Sequence, residues 1–320
     1  MLSINAFEEI RLWIYRNARR IELALWQYEF ENGSVEAVLS ALSNYQNADG
    51  GFGNAIEPDC WNPASSPYAT LNAIGKLKSI NFTDTDHPIM RGIFKYLENG
   101  EHSNDNGWLF NIPSNNDYPC APWWTYDPEA NEYEHTGVTA GIVCFVLQFA
   151  DKNFELYKRS FVFAEKLLSK FAEPGNKGDM GLFGYCALLE TVNKLGLSNA
   201  LDIKYLSSNI KKYVDDEITR DVSKWAGYCV RPSGFIQSPD SPFYAGNEEI
   251  VEVELDYLIE TRPAGGVWGI TWHWHDNYAK YPEEFAISKN WWKSDYDIGA
   301  TGKLKFLRNF GRLEALTGGC

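Results

Sequence analysis

The stretch YQNADGGFGNAIEPDCWNPASSPYATL, residues 45–71, carries the fold prediction for this chain. Its glycine-rich run follows an amphipathic segment that starts at Ser34, and Ser66, followed by a proline, opens the next helix. Serine is a favoured N-cap and proline is tolerated in the first helical turn, so both helix starts are predicted from local chemistry. Residues 45–71 are therefore predicted to form the loop of a helix-loop-helix unit, and this loop carries the acidic residues Glu57 and Asp59.

The helices predicted along the chain alternate between apolar and amphipathic. Residues 135–150, HTGVTAGIVCFVLQFA, are apolar almost all round, which predicts burial on every side. Residues 153–172 are amphipathic, residues 179–192 are again nearly all apolar, and residues 201–216 are again amphipathic. This alternation indicates a double ring, because inner helices are then covered on both sides and outer helices on one side.

Glycine-aromatic stretches recur at spacings typical of repeat architectures. They are NADGGFG at 47–53, NDNGWLF at 104–110, KGDMGLFG at 177–184 and PAGGVWG at 263–269. We therefore predict an all-α fold in which residues 1–320 form a single domain, an α/α toroid of alternating inner and outer helices with about five helix pairs. A first helix over residues 6–28 and a helix capped by Asp86 belong to the same prediction.

Composition and charge exclude several classes of protein. The formal net charge of the 320 residues is -14, which argues against binding to nucleic acid or to anionic membranes. No run of apolar residues is long enough for an integral membrane segment, and the first residues lack the pattern of a signal peptide. The six cysteines show no close-set disulfide framework, so reduced thiols in a soluble, cytoplasmic protein are expected.

The run from Gln46 to Gly53, QNADGGFG, resembles the QW-type repeat of terpenoid cyclases and protein prenyltransferase β-subunits. The resemblance implies an α/α toroid with a deep, aromatic-lined cavity, and inner-helix N-termini around its mouth. It would place Glu57 and Asp59 beside such an N-terminus, which stabilises carboxylates.

The resemblance also implies acid-initiated chemistry on an isoprenoid. Class II terpenoid cyclases use a D-x-D-D motif, which this sequence lacks, and the nearest string, DTDH at 84–87, is interpreted as helix capping. Alkene protonation needs a desolvated carboxylic acid, and Asp59 or Glu57 is the candidate, with helix capping as the alternative role. The predicted proton partners are the histidines at three further positions. They are His135, His273 and His275.

A zinc centre like that of the prenyltransferases is the weaker interpretation of these residues. Asp59, Cys60 and His135 are residues of the right type, but adjacent side chains such as Asp59 and Cys60 rarely bind one ion in good geometry. We therefore predict neither a metal nor a cofactor.

Several aromatic side chains are candidates for the walls of a substrate site. The long loop around CAPWWTYDPE and the segment GGVWGITWHWHD supply most of them, with packing between helices as the alternative role. The candidates are Trp61, Trp123, Trp124, Tyr126, Trp268, Trp272 and Trp274.

The leading functional prediction is a terpenoid-cyclase-like enzyme. It would cyclise or isomerise an isoprenoid or similar hydrophobic small molecule in a central cavity. The alternative from another class is a non-catalytic toroid that binds a ligand or a protein. A third interpretation is a carbohydrate-active α/α-barrel enzyme, since paired carboxylates and stacking tryptophans also suit sugars.

Overall fold

A computed structural model describes residues 1–175 and 177–314. The described residues form thirteen α-helices and one two-stranded antiparallel ribbon, which confirms the all-α prediction. The helices are α1 (Ile4–Asn17), α2 (Arg20–Phe30), α3 (Val35–Leu42), α4 (Pro67–Ser79), α5 (Pro88–Asn99), α6 (Pro128–Phe149), α7 (Glu155–Ala172), α8 (Asp179–Lys194), α9 (Lys204–Glu217), α10 (Glu248–Thr261), α11 (His275–Lys280), α12 (Pro282–Ser294) and α13 (Ala300–Asn309). The ribbon consists of β1 (Ser103–Asn104) and β2 (Gly107–Trp108). Cys320 lies outside the described residues.

The described chain divides into two compact units. The first unit contains residues 1–41, 214–274 and 278–314. The second unit contains residues 42–213, with residue 176 not described, and residues 275–277. The single domain over residues 1–320 and the toroidal arrangement of the helices stay predictions.

In the second unit α6 contacts α4, α7, α8 and β2. Nearly every side chain from Thr136 to Leu147 is buried, which confirms the burial predicted for this helix. The buried residues of α7 form a stripe that includes Leu156, Phe163 and Phe171, as predicted for an amphipathic helix packed on one face.

The helices α6 and α8 approach each other closely through glycines. A Cβ at Gly137 of α6 would lie 2.6 Å from the carbonyl oxygen of Met180, and a Cβ at Gly184 of α8 would lie 2.8 Å from the Cβ of Ala140. Burial on every side is wrong for α8, because Phe183 on its outer face is 38% exposed. The glycines of residues 177–184 therefore serve helix packing as well as a turn.

The first unit contains α12 in contact with α1, α2 and α13. The single helix predicted over residues 6–28 is wrong, since Ala18 and Arg19 are extended and separate α1 from α2. The break lets the Arg19 guanidinium pair with the buried Glu22 at 2.5 Å and lie over the Trp291 ring at 4.8 Å. A helical backbone at these positions would direct the arginine elsewhere.

Three predicted helix starts have different outcomes. Ser34 and Ser66 act as caps, since their hydroxyl oxygens accept the backbone N–H groups of Ala37 and Ala69 at 3.1 Å. The cap assigned to Asp86 is wrong, because His87 is the N-cap of α5 and its Nδ1 accepts the N–H of Ile89 at 3.2 Å. The proline that begins α5 favours an extended conformation for the residue just before it, which places the cap one residue later.

The four glycine-aromatic stretches do not share one structure. Residues 47–53 form a turn, residues 104–110 contain all of the ribbon except Ser103, residues 177–184 run into α8, and residues 263–269 form a turn in the first unit. Among the described residues, no helix is both long and apolar enough to cross a membrane.

Candidate functional site

The glycine-rich run forms a turn that closes on itself. Gln46 pairs with Phe52 in an isolated antiparallel bridge, and Phe52, which is fully buried, also bridges to Ser66 at the start of α4. Gly50 has a φ of 97°, and a Cβ there would lie 2.1 Å from the carbonyl oxygen of Gly92 in α5. Only glycine satisfies both conditions. The turn leaves residues 53–66 as a separate loop.

A pocket in the second unit lies against this loop. Its empty volume is about 310 Å³, counting the space open to solvent. The part of it that a water-sized sphere can enter is about 10 Å³, close to the space of one water molecule, so a larger ligand requires the walls to move apart. The lining residues are Gly53, Ala55, Ile56, Glu57, Cys60, Asn62, Ala64, Ser66, Tyr68, Ala69, Phe110, Asn115 and Trp124.

One wall of the pocket is aromatic. The rings of Tyr68 and Trp124 have centroids 4.3 Å apart, and those of Phe110 and Trp124 stack at 4.8 Å. Tyr68 meets Phe110 edge-on at 5.6 Å. Such a cluster offers apolar contact to a ligand, and the electron-rich ring faces attract positive charge.

The loop brings two carboxyl groups into the protein interior. Glu57 lines the pocket and is only 4% exposed, and Asp59 is 1% exposed. A Glu57 oxygen accepts the side-chain amide of Asn72 at 3.2 Å, and the other accepts the backbone N–H of Asp59 at 3.4 Å. A buried carboxyl group beside a pocket is suited to general acid or base catalysis.

A chain of amide hydrogen bonds holds the pocket walls together. The Asn62 amide nitrogen donates to the oxygens of Ser114 and Asn115, both at 2.8 Å. Asn115 in turn donates to the backbone carbonyl of Trp124 at 3.0 Å. These bonds hold the backbone of Trp124 in place and connect it to Asn62, which is 53 positions before Asn115 in the sequence.

Two buried polar atoms around the pocket have no hydrogen-bond partner among residues 1–175 and 177–314. They are the indole nitrogen Nε1 of Trp124 and the amide oxygen Oδ1 of Asn72. Most buried polar groups in proteins are hydrogen-bonded, and a buried group without a partner lowers the stability of the fold by about 1–3 kcal/mol. A ligand acceptor near Trp124 would relieve one of these costs.

Two thiols lie together at this site. Cys60, which lines the pocket, is directly opposite Cys120 in an isolated antiparallel bridge. Both cysteines are in the reduced, thiol form, and burial raises the pKa of the Cys60 thiol. Desolvation therefore keeps Cys60 protonated at neutral pH.

Trp61, Trp123 and Tyr126, which were also predicted as walls of the site, are not among the residues that line the pocket. The Trp61 indole donates to the carbonyl of Pro58 at 3.0 Å. Trp123 is 38% exposed, and the backbone of half-buried Tyr126 donates to Asn116 at 2.8 Å. Of the loop aromatics predicted as walls, Trp124 is the one that lines the pocket.

His135 belongs to a separate polar network in α6 and α7. Lys170 Nζ lies 3.3 Å from His135 Nε2, and His135 Nδ1 lies 3.3 Å from the Thr139 hydroxyl, which accepts the backbone N–H of Trp108 at 3.0 Å. Since lysine only donates, the proton of the neutral ring is assigned to Nδ1. Burial, and then the charge of Lys170, lower the pKa of His135 to about 4.

The tryptophan-rich segment is packed by its own neighbours. In the first unit Trp268 is 6% exposed and donates to the carbonyl of Leu258 at 2.9 Å. Trp272 meets Trp292 edge-on at 5.3 Å, and fully buried Trp274 packs 5.7 Å from Phe285.

The two histidines of this segment have different surroundings. His273 is exposed, and its ring centroid lies 4.5 Å from that of Phe285. His275, also exposed, is the first residue of α11 and has a φ of 44°. The structure thus places the predicted proton partners in three different environments, of which only that of His135 is buried.

Comparisons with known proteins give no relative for this chain. No family model, no curated protein and no solved structure matches it. Among the described residues, no group of three or more His, Cys, Asp and Glu side chains is arranged to hold a metal ion.

Much of the pocket lining carries no functional signal in the sequence. Tyr68 has the spacing of a core residue of α4, and Phe110 belongs to one of the recurring glycine-aromatic stretches. Asn62 and Asn115 carry no motif, although asparagines in long loops are a general sign of side-chain hydrogen bonding. Asn72, the partner of Glu57, lies fifteen positions after it in the chain.

Proposed function

We propose that this chain is an enzyme that acts on a small hydrophobic molecule, with Glu57 as the proton-transferring group. The supporting observation is that the buried Glu57 carboxyl and the three aromatic rings of Tyr68, Phe110 and Trp124 line the same pocket. A carboxylic acid excluded from water transfers its proton more readily to a weak base such as an alkene. The aromatic faces then stabilise the positive charge that forms.

The proposed reaction is an acid-initiated cyclisation or isomerisation. The Glu57 proton adds to the less substituted carbon of the trisubstituted alkene at the end of the chain, and the tertiary cation that forms on the other carbon is attacked by a second alkene of the same molecule. Loss of a proton from the product cation to a protein base completes the reaction without a net change in composition. Asp59, as a second buried carboxyl group, is the candidate for this base.

The terpenoid-cyclase resemblance and the α/α toroid form part of this proposal. They rest on the QNADGGFG run and on the buried helix α6, which suits an inner position. The space that a water-sized sphere can enter is about 10 Å³, so the proposal requires the loop of residues 53–66 to move away from the aromatic wall when an isoprenoid binds.

The experiment uses geraniol and farnesol as probes, incubated with the purified chain in D₂O. We expect a cyclised isomer that carries one deuterium, detected by gas chromatography and mass spectrometry, because the exchanged carboxyl of Glu57 supplies the added atom. Glu57→Gln should abolish the product while it retains an acceptor for Asn72. Asp117→Asn, at an exposed carboxylate of the loop before α6, is the matched control and should retain full turnover.

Two results would overturn the assignment. Formation of the deuterated product by Glu57→Gln as fast as by the wild type would exclude Glu57 as the acid. A chain that binds neither probe and converts neither would exclude the short isoprenoids as substrates. Thermal unfolding of each variant separates a chemical effect from loss of the fold.

A second candidate function is a non-catalytic binding protein for a polar ligand, of which a carbohydrate is one class. The unpartnered indole N–H of Trp124 favours it, since this group is ready to donate to a ligand oxygen. Native mass spectrometry of the purified chain, followed by denaturing extraction, tests it. A co-purified polar compound would support binding, and a co-purified isoprenoid would support the enzyme.

A further inference from the structure

The bridge between Cys60 and Cys120 has the backbone geometry of a non-hydrogen-bonded antiparallel pair. The flanking hydrogen bonds run from Ala121 N to Asp59 O at 2.8 Å and from Trp61 N to Pro119 O at 2.9 Å, so none joins the two cysteines directly. In such pairs the side chains project to the same side and the Cα atoms are about 4.5 Å apart. Disulfides span Cα distances of about 4.4–6.8 Å, so this pair lies within the range that a disulfide needs.

The two cysteine residues differ in their exposure to solvent and in their contact with the pocket. Cys60 is half-buried and lines the pocket, whereas Cys120 is 3% exposed and its S–H donates to the Asn115 carbonyl at 3.6 Å. A small reagent entering the pocket therefore meets Cys60 first. The other described cysteines of this unit, Cys144 and Cys186, lie on α6 and α8.

We propose that Cys60 and Cys120 form a reversible disulfide, and that a peroxide reaching Cys60 through the pocket drives its formation. The proposal does not depend on the chemistry assigned to Glu57. It rests on the cross-strand geometry and on the position of one thiol at the pocket wall.

The oxidation takes place in two balanced steps. The Cys60 sulfur attacks one oxygen of hydrogen peroxide, the O–O bond breaks, and a sulfenic acid and one water are formed. The Cys120 sulfur then attacks the Cys60 sulfur, the S–O bond breaks, and the second water leaves with the Cys120 proton. Two thiols lose two electrons in total, and one peroxide becomes two waters.

Burial makes this reaction slow at neutral pH and faster in alkaline solution. The thiolate is the reactive form, and burial raises the pKa of the Cys60 thiol. The thiols therefore respond to a sustained rise in peroxide, and a dithiol reductant reverses the bond by exchange.

The disulfide would fasten two walls of the pocket to each other. Cys60 belongs to the loop that carries Glu57, and Cys120 to the segment that carries Asn115 and Trp124. A disulfide between residues 60 and 120 closes a loop of about sixty residues and so restricts the unfolded chain. We therefore expect the midpoint of thermal unfolding to rise by roughly 5 °C. The oxidised pocket would also be less adaptable to a ligand.

The experiment treats the wild-type chain with hydrogen peroxide, removes the peroxide, unfolds the chain in urea, blocks the remaining thiols with N-ethylmaleimide, and digests it without reduction. We expect mass spectrometry to find the Cys60 peptide linked to the Cys120 peptide, with the link lost after dithiothreitol. Cys144 should carry N-ethylmaleimide, since burial within α6 protects its thiol from peroxide until the chain is unfolded.

The variants Cys60→Ser and Cys120→Ser are the matched controls. With Cys120→Ser, dimedone should label Cys60, because the sulfenic acid has no thiol to attack it, whereas the wild type should show little label. The proposal is overturned if both cysteines of the oxidised wild type still carry N-ethylmaleimide, or if Cys60 is linked to a different cysteine. Because the decisive measurement uses the wild type, misfolding of a variant leaves the outcome readable.

Discussion

Gln46 is hydrogen-bonded to Ile89, with the side-chain amide nitrogen of Gln46 3.0 Å from the carbonyl oxygen of Ile89. The same nitrogen donates to the carbonyl of Gly50 at 2.9 Å. One amide group therefore joins the glycine-rich turn to the first turn of α5. The Gln46 side chain thus has a structural role in the run that carries the family resemblance.

Replacing Gln46 with alanine should destabilise the fold. Two carbonyl groups lose their donor, and we expect the free energy of unfolding to fall by about 1–3 kcal/mol in urea titrations. Asn17→Ala is the control, because the exposed Asn17 amide donates to the carbonyl of Trp13, four residues earlier, at 2.8 Å. Equal losses in the two variants would contradict a special role for Gln46.

Gly50→Ala should destabilise the chain much more than Gly75→Ala. A Cβ at Gly50 collides with the Gly92 carbonyl at 2.1 Å and meets an unfavourable φ of 97°. We expect a loss of about 2 kcal/mol or more, because the backbone must shift.

Gly75 is the matched glycine, since a Cβ there meets no atom of the described chain within 4 Å and the residue lies in the exposed face of α4. Alanine at this position should stabilise the helix by about 0.5–1 kcal/mol. Thermal unfolding of the two variants compares the effects, and a stable Gly50→Ala chain would mean that the turn has a different conformation.

Two tryptophan-to-phenylalanine variants should separate the contribution of an indole hydrogen bond to the free energy of unfolding from the contribution of ring burial. Trp26 Nε1 donates to Glu31 at 2.9 Å, whereas Trp124 Nε1 has no partner among the described residues. Both substitutions remove similar ring volume. We expect Trp26→Phe to cost about 1–2 kcal/mol more than Trp124→Phe in urea unfolding, and equal costs would imply a hidden partner for Trp124.

His135 should make the fold less stable in mild acid. Its pKa of about 4 in the folded state lies below the unfolded value near 6.5, so the unfolded chain binds more protons between these pH values. The stability contribution is complete above about pH 6.5 and is lost as the pH falls toward 4, by on the order of 3 kcal/mol.

Urea unfolding at pH 7 and at pH 4.5 measures this loss. His135→Gln is the control, because an amide can accept from Lys170 and donate to Thr139 but does not titrate. The wild type should lose more stability than the variant between the two pH values. Parallel losses would show that carboxyl groups, and not His135, dominate acid destabilisation.

Local chemistry determined much of the secondary structure from the sequence alone. The caps at Ser34 and Ser66, the all-α class and the burial of α6 follow from residue type and helical spacing, which act within one or two turns. Glu57 and Trp124 were also singled out from sequence, because a carboxyl group in a glycine-rich loop and aromatics in a long loop are unusual.

Tertiary contacts decided the rest. The break at Ala18, the pairing of Cys60 with Cys120, and the meeting of Tyr68 with Trp124 join residues whose spacing carries no periodic signal. The depressed pKa of His135 likewise depends on burial and on Lys170, a residue of another helix. A sequence specifies which groups can bond, but desolvation and long-range packing select the partners, so the pocket was visible only in the folded chain.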